Sequence, residues 1–396
     1  MSAVPPAPPR PLHFAAFILN TTEHEVHCHR RRPRARQADF GDLERWVGLA
    51  RTLERGRFDA VFFADAVGHD ASCRRDERGY SEGRQAASSG PSVLAGAIAY
   101  VTRHLGVACT NSTRQEHPVD FARRISTFDH ASQGRTAWRV AADDPQDARA
   151  DEYVDVTYKL WEGSWDEDAL RRDGQDDSDT GEGKVHGINH QGPRFTVKGP
   201  HLVSPSPQRT PLLFQAVVSE ADLAFAARNA EAVLTRSPSP AAAGRDTADI
   251  RSRAARHGRL PEDIKFFQGL QVVTGGTEAE ARRNAAELDE RTAEAAQLSP
   301  YTAAGGRIVG TPEQIADELA SWQAAGVDGI SLVNAGNLRP YEEFVDQVAP
   351  VLQERGLMQR EYAEGSLRHK LFGRGDRLPD RHPAARYRGA FAPQGA

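Results

Sequence analysis

Ser204 to Thr235, SPSPQRTPLLFQAVVSEADLAFAARNAEAVLT, is the stretch on which the fold turns. Leu212, Leu213, Phe214 and Ala216 form a short apolar run behind Pro211, which reads as a strand buried on both faces. The run stops at Ser219-Glu220, and Leu223, Ala226, Ala227 and Ala230 then share one helical stripe. Ala232 to Thr235 is a second apolar run. Strand, turn, helix and strand make a βαβ unit, whose right-handed crossover sets the two strands parallel. The Ser219 turn would aim backbone N–H groups outward at a positive helix end, which suits a phosphate or another anion. A serine at this place also serves as an ordinary helix cap, and both readings stay open here.

The same alternation extends in both directions. Before the unit, strands are expected at Leu12 to Leu19, Phe58 to Asp65, Gly106 to Thr110 and in RTAWRVAA after Gly134. After it they are expected at Ile264 to Val273 and Gly329 to Val333. Helical stripes lie between them. Leu43, Trp46, Val47, Ala50 and Leu53 share one face before Gly56, and Pro91 and Pro118 open two further helices. Ala150 to Trp161 and Pro240 to Gly258 read as helices, and one closes the series from about Tyr341 to Arg355. Thr277 with Glu280, and Thr311-Pro312-Glu313-Gln314, are capping boxes. Eight strands alternating with helices in 396 residues predict an α/β protein, a (β/α)8 TIM barrel with insertion segments and a C-terminal tail. No glycine fingerprint for dinucleotides follows the first strand, which argues against an open doubly wound sheet.

The expected organisation is a Pro-rich tail over 1–11, the barrel over 12–357 with an insertion at about 166–200, and a tail over 358–396. A net charge of -5 and a pI near 6.3 give no reason to expect nucleic acid as a partner. Cys28, Cys73 and Cys109 are odd in number and lack metal-ligand spacing, so a reducing cytoplasm is expected and a disulfide framework is not. No apolar run is long enough for a signal peptide core or a membrane span. The histidines at His24, His27 and His29 fall on several faces, which favours a solvated loop over a metal site.

Several long motifs, in order, then carry a resemblance: ARTLERGRFDAVFFAD, ARRISTFDHASQGRTAW, KVHGINHQGPRFTVKGPHLVSPSPQRTPLLFQA, VGTPEQIADEL, and Gly356-Leu357 with LRHKL. Together they resemble the bacterial luciferase-like flavin monooxygenases. The branch is that of nitrilotriacetate monooxygenase component A, long-chain alkane monooxygenase and pristinamycin synthase A. The resemblance implies a barrel that binds reduced FMN made by a separate NAD(P)H-dependent flavin reductase. It implies O2 as co-substrate, oxygenation of a small organic substrate, and a homo-oligomer. By the same resemblance Asp65 matches a carboxylate near the flavin ring and Ser112 and Thr113 a hydroxyl pair at the ring edge. Ser219 matches the second serine of a phosphate-binding turn.

The chain departs from that pattern at the same places. Val217-Val218 stand where the family has Gly-Ser, removing a hydroxyl and adding β-branched side chains beside the expected phosphate. Arg139, Ala142 and Asp143 replace an Asn and a Thr-Ser pair after Trp138. The expected flavin site is therefore a degenerate-looking one. The alternative is a homologue that has lost flavin and acts as a binding or partner subunit, or in flavin-independent chemistry. His69 as a general base and His186 and His190 as docking groups complete the candidates.

Overall fold

The computed structural model describes residues 10–19, 43–64, 91–141, 148–170, 180–181, 183–292, 306–334 and 338–393. Strands β1 (His13–Leu19), β2 (Ala60–Ala64), β3 (Gly106–Ser112) and β4 (Thr136–Ala141) pair in parallel in that order. A short antiparallel hairpin, β5 (His190–Gln191) and β6 (Thr196–Val197), stands apart from them. The ring continues through β7 (Leu212–Ala216), β8 (Ala232–Thr235), β9 (Lys265–Thr274) and, after β10 (Arg307–Gly310), β11 (Gly329–Val333). It closes because β8 pairs with β9, β9 with β11, and β11 with β1, all parallel. All eight expected strands are present, and they form the (β/α)8 barrel that the alternation implied.

β10 is the addition: it pairs with Gln271 to Thr274, the outer half of β9 beyond the barrel. Helices fall where the stripes placed them. Thr311 closes a capping box with Gln314 and Pro312 begins the helix, as the spacing required. Ala148–Tyr158 is α-helical, and the rest of the expected helix continues as a π-helical turn, Lys159–Gly163.

Side chains alternate across the barrel wall. Ala15, Phe17, Ala60, Phe62, Ala108, Ala137, Phe214, Leu234, Phe267 and Val333 form one buried cluster inside the barrel. Their neighbours Phe14, Ala16, Val61, Phe63, Val107, Ile330 and Leu332 pack outward with Trp46, Leu53, Ile315, Leu319 and Phe344 of the helical layer. Phe62, Phe214 and Phe267 meet inside, with ring centroids 4.0, 5.9 and 6.5 Å apart. At roughly 1.5–3 kcal/mol for each fully buried large apolar side chain, these inward residues are a large part of the barrel's stability.

The C-terminal segment folds back under the barrel. Helix Leu367–Phe372 is capped by Ser366 and ended by left-handed Gly373. Its Leu367 and Leu371 join the interior cluster, and Leu367 N donates to Gly134 O just before β4. A Cβ added to Gly106, the first residue of β3, would lie 2.7 Å from Leu367, so the helix fills this end of the barrel. Arg368, buried, donates to both carboxylate oxygens of buried Glu231 at 2.6 and 2.8 Å. The end formed by the strand N-termini is thus sealed, and the end formed by their C-termini is where chain-specific chemistry can sit.

Two further carboxylates tie the segment down. Glu162 is fully buried, accepts from Thr210 Oγ1, and pairs with Arg377 and Arg388. Although burial raises it, those guanidinium groups and the hydrogen bonds win and hold it at about 2. Asp263 is likewise held at about 2: burial raises it, but hydrogen bonds from Arg381, Leu260 N and Arg374 outweigh that. Both folded values lie below the unfolded ones, so this stability is complete above pH 4.5 and is lost as pH falls toward 2. For Glu162 the contribution is on the order of 3 kcal/mol. The urea midpoint should fall steeply below pH 4.5, and less steeply in Arg377→Gln. A midpoint flat from pH 7 to pH 3 would show these carboxylates to be unlinked to folding.

Candidate active site

The inward series on β3 runs Ala108, Thr110, Ser112, and on β4 it runs Ala137, Arg139. Each series begins as an alanine in the packed interior and ends in polar residues toward the C-terminal rim. Arg139 is registered beside Thr110 on one side and Phe214 on the other. Its Nη1 donates to Thr110 Oγ1 at 3.3 Å, and Thr110 in turn donates to the Phe63 carbonyl at 3.0 Å. Arg139 is only 8% exposed, so a cation stands almost out of water beside the phenylalanine cluster.

Ser112 ends β3, Thr113 follows it in the turn, and both are buried. Ser112 Oγ accepts from Arg114 N at 3.2 Å, so one function of this hydroxyl is to shape its own turn. Ser219 lies on the same rim two strands further round, after β7. At a strand spacing of about 4.8 Å, the two positions are roughly 10 Å apart around the barrel. Asp65, which follows Ala64 in the chain, lies outside the described residues, as do His24, His69, Ala142 and Asp143.

At the Ser219 turn the cap reading is realised. Ser219 caps helix Glu220–Asn229 with extended backbone, and its Oγ accepts from Asp222 N at 3.2 Å. The same hydroxyl donates to Asp222 Oδ2 at 2.7 Å, and Val218 N donates to that oxygen at 3.3 Å. Gln215 Nε2 donates to Asp222 Oδ1 at 2.8 Å. The positive helix end therefore already holds an anion, and the protein supplies it. Val217 packs outward on Ala226, Ile250 and Phe266, and Val218 is more than half exposed. Neither valine fills the barrel mouth. Asp222 and Gln215 are the functional candidates that motif matching passed over; the Ser219-x-x-Asp222 spacing, a variant of the capping box, was the available signal.

The remaining histidine candidates have structural partners. His186 Nε2 is 3.0 Å from Asp166 Oδ1 within the insertion. His190 lies between Glu152, at 3.1 Å, and Lys159, at 2.9 Å, both on the helix that follows β4. Glu152 also accepts from Arg194 N and Phe195 N, so this network docks the insertion to the barrel. Among the described residues, no group of three or more His, Cys, Asp or Glu side chains is placed to hold a metal.

The group that the sequence motifs imply for this rim is a reduced flavin. An inward cation with hydroxyls beside a wall of phenylalanines fits a planar heterocycle that carries negative charge. The Ser219 turn offers a serine and the Val218 N–H to a phosphate, with Asp222 as competitor for both. The cation and hydroxyls are of the kind a ring edge needs, whereas Asp222 already takes the Val218 N–H and the Ser219 hydroxyl that a phosphate would need.

The profile of the luciferase-like monooxygenases matches residues 14–329. The chain is 38% identical over 430 residues to a long-chain alkane monooxygenase of Geobacillus thermodenitrificans, covering 95% of this chain and 98% of that one. It is 35% identical over 448 residues to a dimethyl-sulfide monooxygenase of Hyphomicrobium sulfonivorans, covering 95% and 93%. Among solved structures, a riboflavin lyase in complex with modified FMN and riboflavin superposes with a TM-score of 0.84 at 29% identity, covering 96% of this chain and all of that one.

If Ser219 and Asp222 form one cap, Ser219→Ala should cost about 1 kcal/mol in urea unfolding. Ser219→Asp, which keeps an acceptor at the cap but sets a second carboxylate beside Asp222, should cost at least as much. A neutral Ser219→Ala would mean that the hydroxyl contributes nothing to the helix end.

Proposed function

Because the chain belongs to the luciferase-like monooxygenase family, we propose that its C-terminal barrel mouth holds reduced FMN between Arg139 and the Ser219 turn. The enzyme is a two-component FMN-dependent monooxygenase that uses reduced flavin and O2 to oxygenate a small organic molecule. A separate flavin reductase is the partner that supplies the reduced cofactor. When bound, reduced FMN supplies the electrons with which O2 is activated.

The observation that carries the site is the buried Arg139 beside Thr110 and the inward phenylalanines. Its fixed charge would hold the electron-rich edge of the reduced ring, and in a site this poor in water the attraction is worth more than at a surface. Ser112 and Thr113 would bind the ring edge, and Asp65 joins the proposed set on its sequence match. Phe17, Phe62 and Phe214 would give the bound ring an apolar, water-poor floor. Ser219 Oγ and the Val218 N–H would receive the phosphate, with Asp222 as a built-in rival. Among the described residues no helix is long and apolar enough to cross a membrane.

Anaerobic titration with reduced FMN should show saturable one-to-one binding. Arg139→Met should weaken reduced FMN about tenfold, equivalent to about 1.4 kcal/mol, and oxidised FMN much less, because the charge difference is in the reduced ring. Asp222→Asn should tighten both forms several-fold, most at low ionic strength, by removing a like charge near the phosphate. A folded protein with no detectable flavin binding would favour the flavin-free alternative. Normal affinity in both variants would place the flavin elsewhere.

A further inference from the structure

A cavity of about 410 Å³ opens at the opposite end of the barrel, between its base and the C-terminal segment. Glu231, Arg259 and Asp263 line it from the loops before β8 and β9, and Arg368, Arg374, Arg377, Arg381 and Arg388 line it from the segment. We infer that this cavity binds a phosphate-bearing small molecule, at a site separate from the oxygenase mouth.

Its wall holds six guanidinium groups against three carboxylates, Glu231, Asp263 and Asp380. His382 also faces it and adds no charge near neutral pH: burial first, then Arg259 and Arg368, push it down to about 4. Behind the wall, Glu162 and Glu167 face Arg377 and Arg388.

An ion-pair latch explains part of this arrangement. Arg368 is saturated by Glu231 and the carbonyls of Thr210 and Asp376, and Arg259 by the carbonyls of Ala226, Ala227, Ala230 and Asp263. A latch does not require two guanidinium groups on each remaining buried carboxylate. Asp263 takes both Arg374 and Arg381, and Glu162 takes both Arg377 and Arg388. One of each pair is surplus to neutralisation. The outer acids that share the surplus, Glu167 and Asp380, are 66% and 99% exposed, where an ion pair contributes little. Arg377 Nε is buried with no hydrogen-bond partner among the described residues.

Guanidinium forks match phosphate oxygens in geometry, and with Glu162 and Glu167 counted the six guanidinium groups still exceed the five carboxylates by one charge. The volume lies in the usual range of small-molecule pockets, about 300–1,000 Å³. Phe372, with Arg374 stacked 5.2 Å from its ring centre, and Leu378 and Pro379 add an apolar side for the organic part of such a ligand. The five residues of a strand such as β7 span roughly 17 Å, so a ligand here cannot reach the reactants at the mouth. Its effect would be to pin the C-terminal segment to the barrel base.

The test is calorimetric titration of the full chain with inorganic pyrophosphate in low-salt buffer at pH 7. One saturable site is expected, weakening as salt is added. Arg374→Gln leaves Asp263 its two bonds from Arg381 and should lower the affinity at least tenfold. Ser219→Ala should leave it unchanged. Absence of saturable binding, or binding lost in Ser219→Ala and kept in Arg374→Gln, overturns the inference. Hydrogen exchange on the unmodified protein is an independent check that does not depend on the variant folding. Pyrophosphate should slow the amides of 374–388, and protection confined to the opposite rim would place the anion at the mouth.

Discussion

The pairing of Arg368 with Glu231 is the interaction on which the architecture rests. Both groups are almost fully enclosed, and both oxygens of the carboxylate are engaged, one of them also by Leu213 N at the start of β7. Burying two charges is costly, and only dense hydrogen bonding recovers that cost. Here Arg368 also satisfies the carbonyls of Thr210 and Asp376, so one guanidinium ties the barrel base to the C-terminal segment. Leu367 and Leu371 can then enter the barrel from below. With that end filled, the polar residues at the ends of β3 and β4 lie at the opposite rim.

The rim carries two opposed electrostatic features. Arg139 places positive charge beside the phenylalanine cluster, where a reduced ring would gain from it. Asp222 places negative charge at the helix terminus that would otherwise attract a phosphate. A flavin held as proposed would be bound more by its ring end than by its phosphate. An enzyme fed by a separate reductase needs to take up a reduced cofactor and release it oxidised, and a ring-weighted site discriminates between those two states. A phosphate-weighted site would not, because the phosphate is the same in both.

Most of the fold was legible because buried parallel strands are short apolar runs and the helices between them carry stripes and caps. The eight barrel strands follow from that alone. β10 escaped notice since only Ile308 and Val309 are apolar in it and it pairs with β9 outside the barrel. The latch under the barrel was illegible for a different reason: Arg368 and Glu231 lie 137 residues apart, and nothing local marks either as buried. Ser112, Thr113 and Ser219, singled out by motif, lie at the C-terminal ends of β3 and β7. Asp222 was visible only as a capping residue, because a one-dimensional pattern does not show that its carboxylate turns back onto the Val218 N–H.

The most direct measurement is a crystal structure of the protein with FMN. Density is expected for the ring beside Arg139, over Phe62 and Phe214, with the phosphate at Ser219 and the Asp222 side chain turned away from the Val218 N–H. Density confined to the arginine-lined cavity at the barrel base, or a mouth left empty at saturating FMN, would contradict this placement.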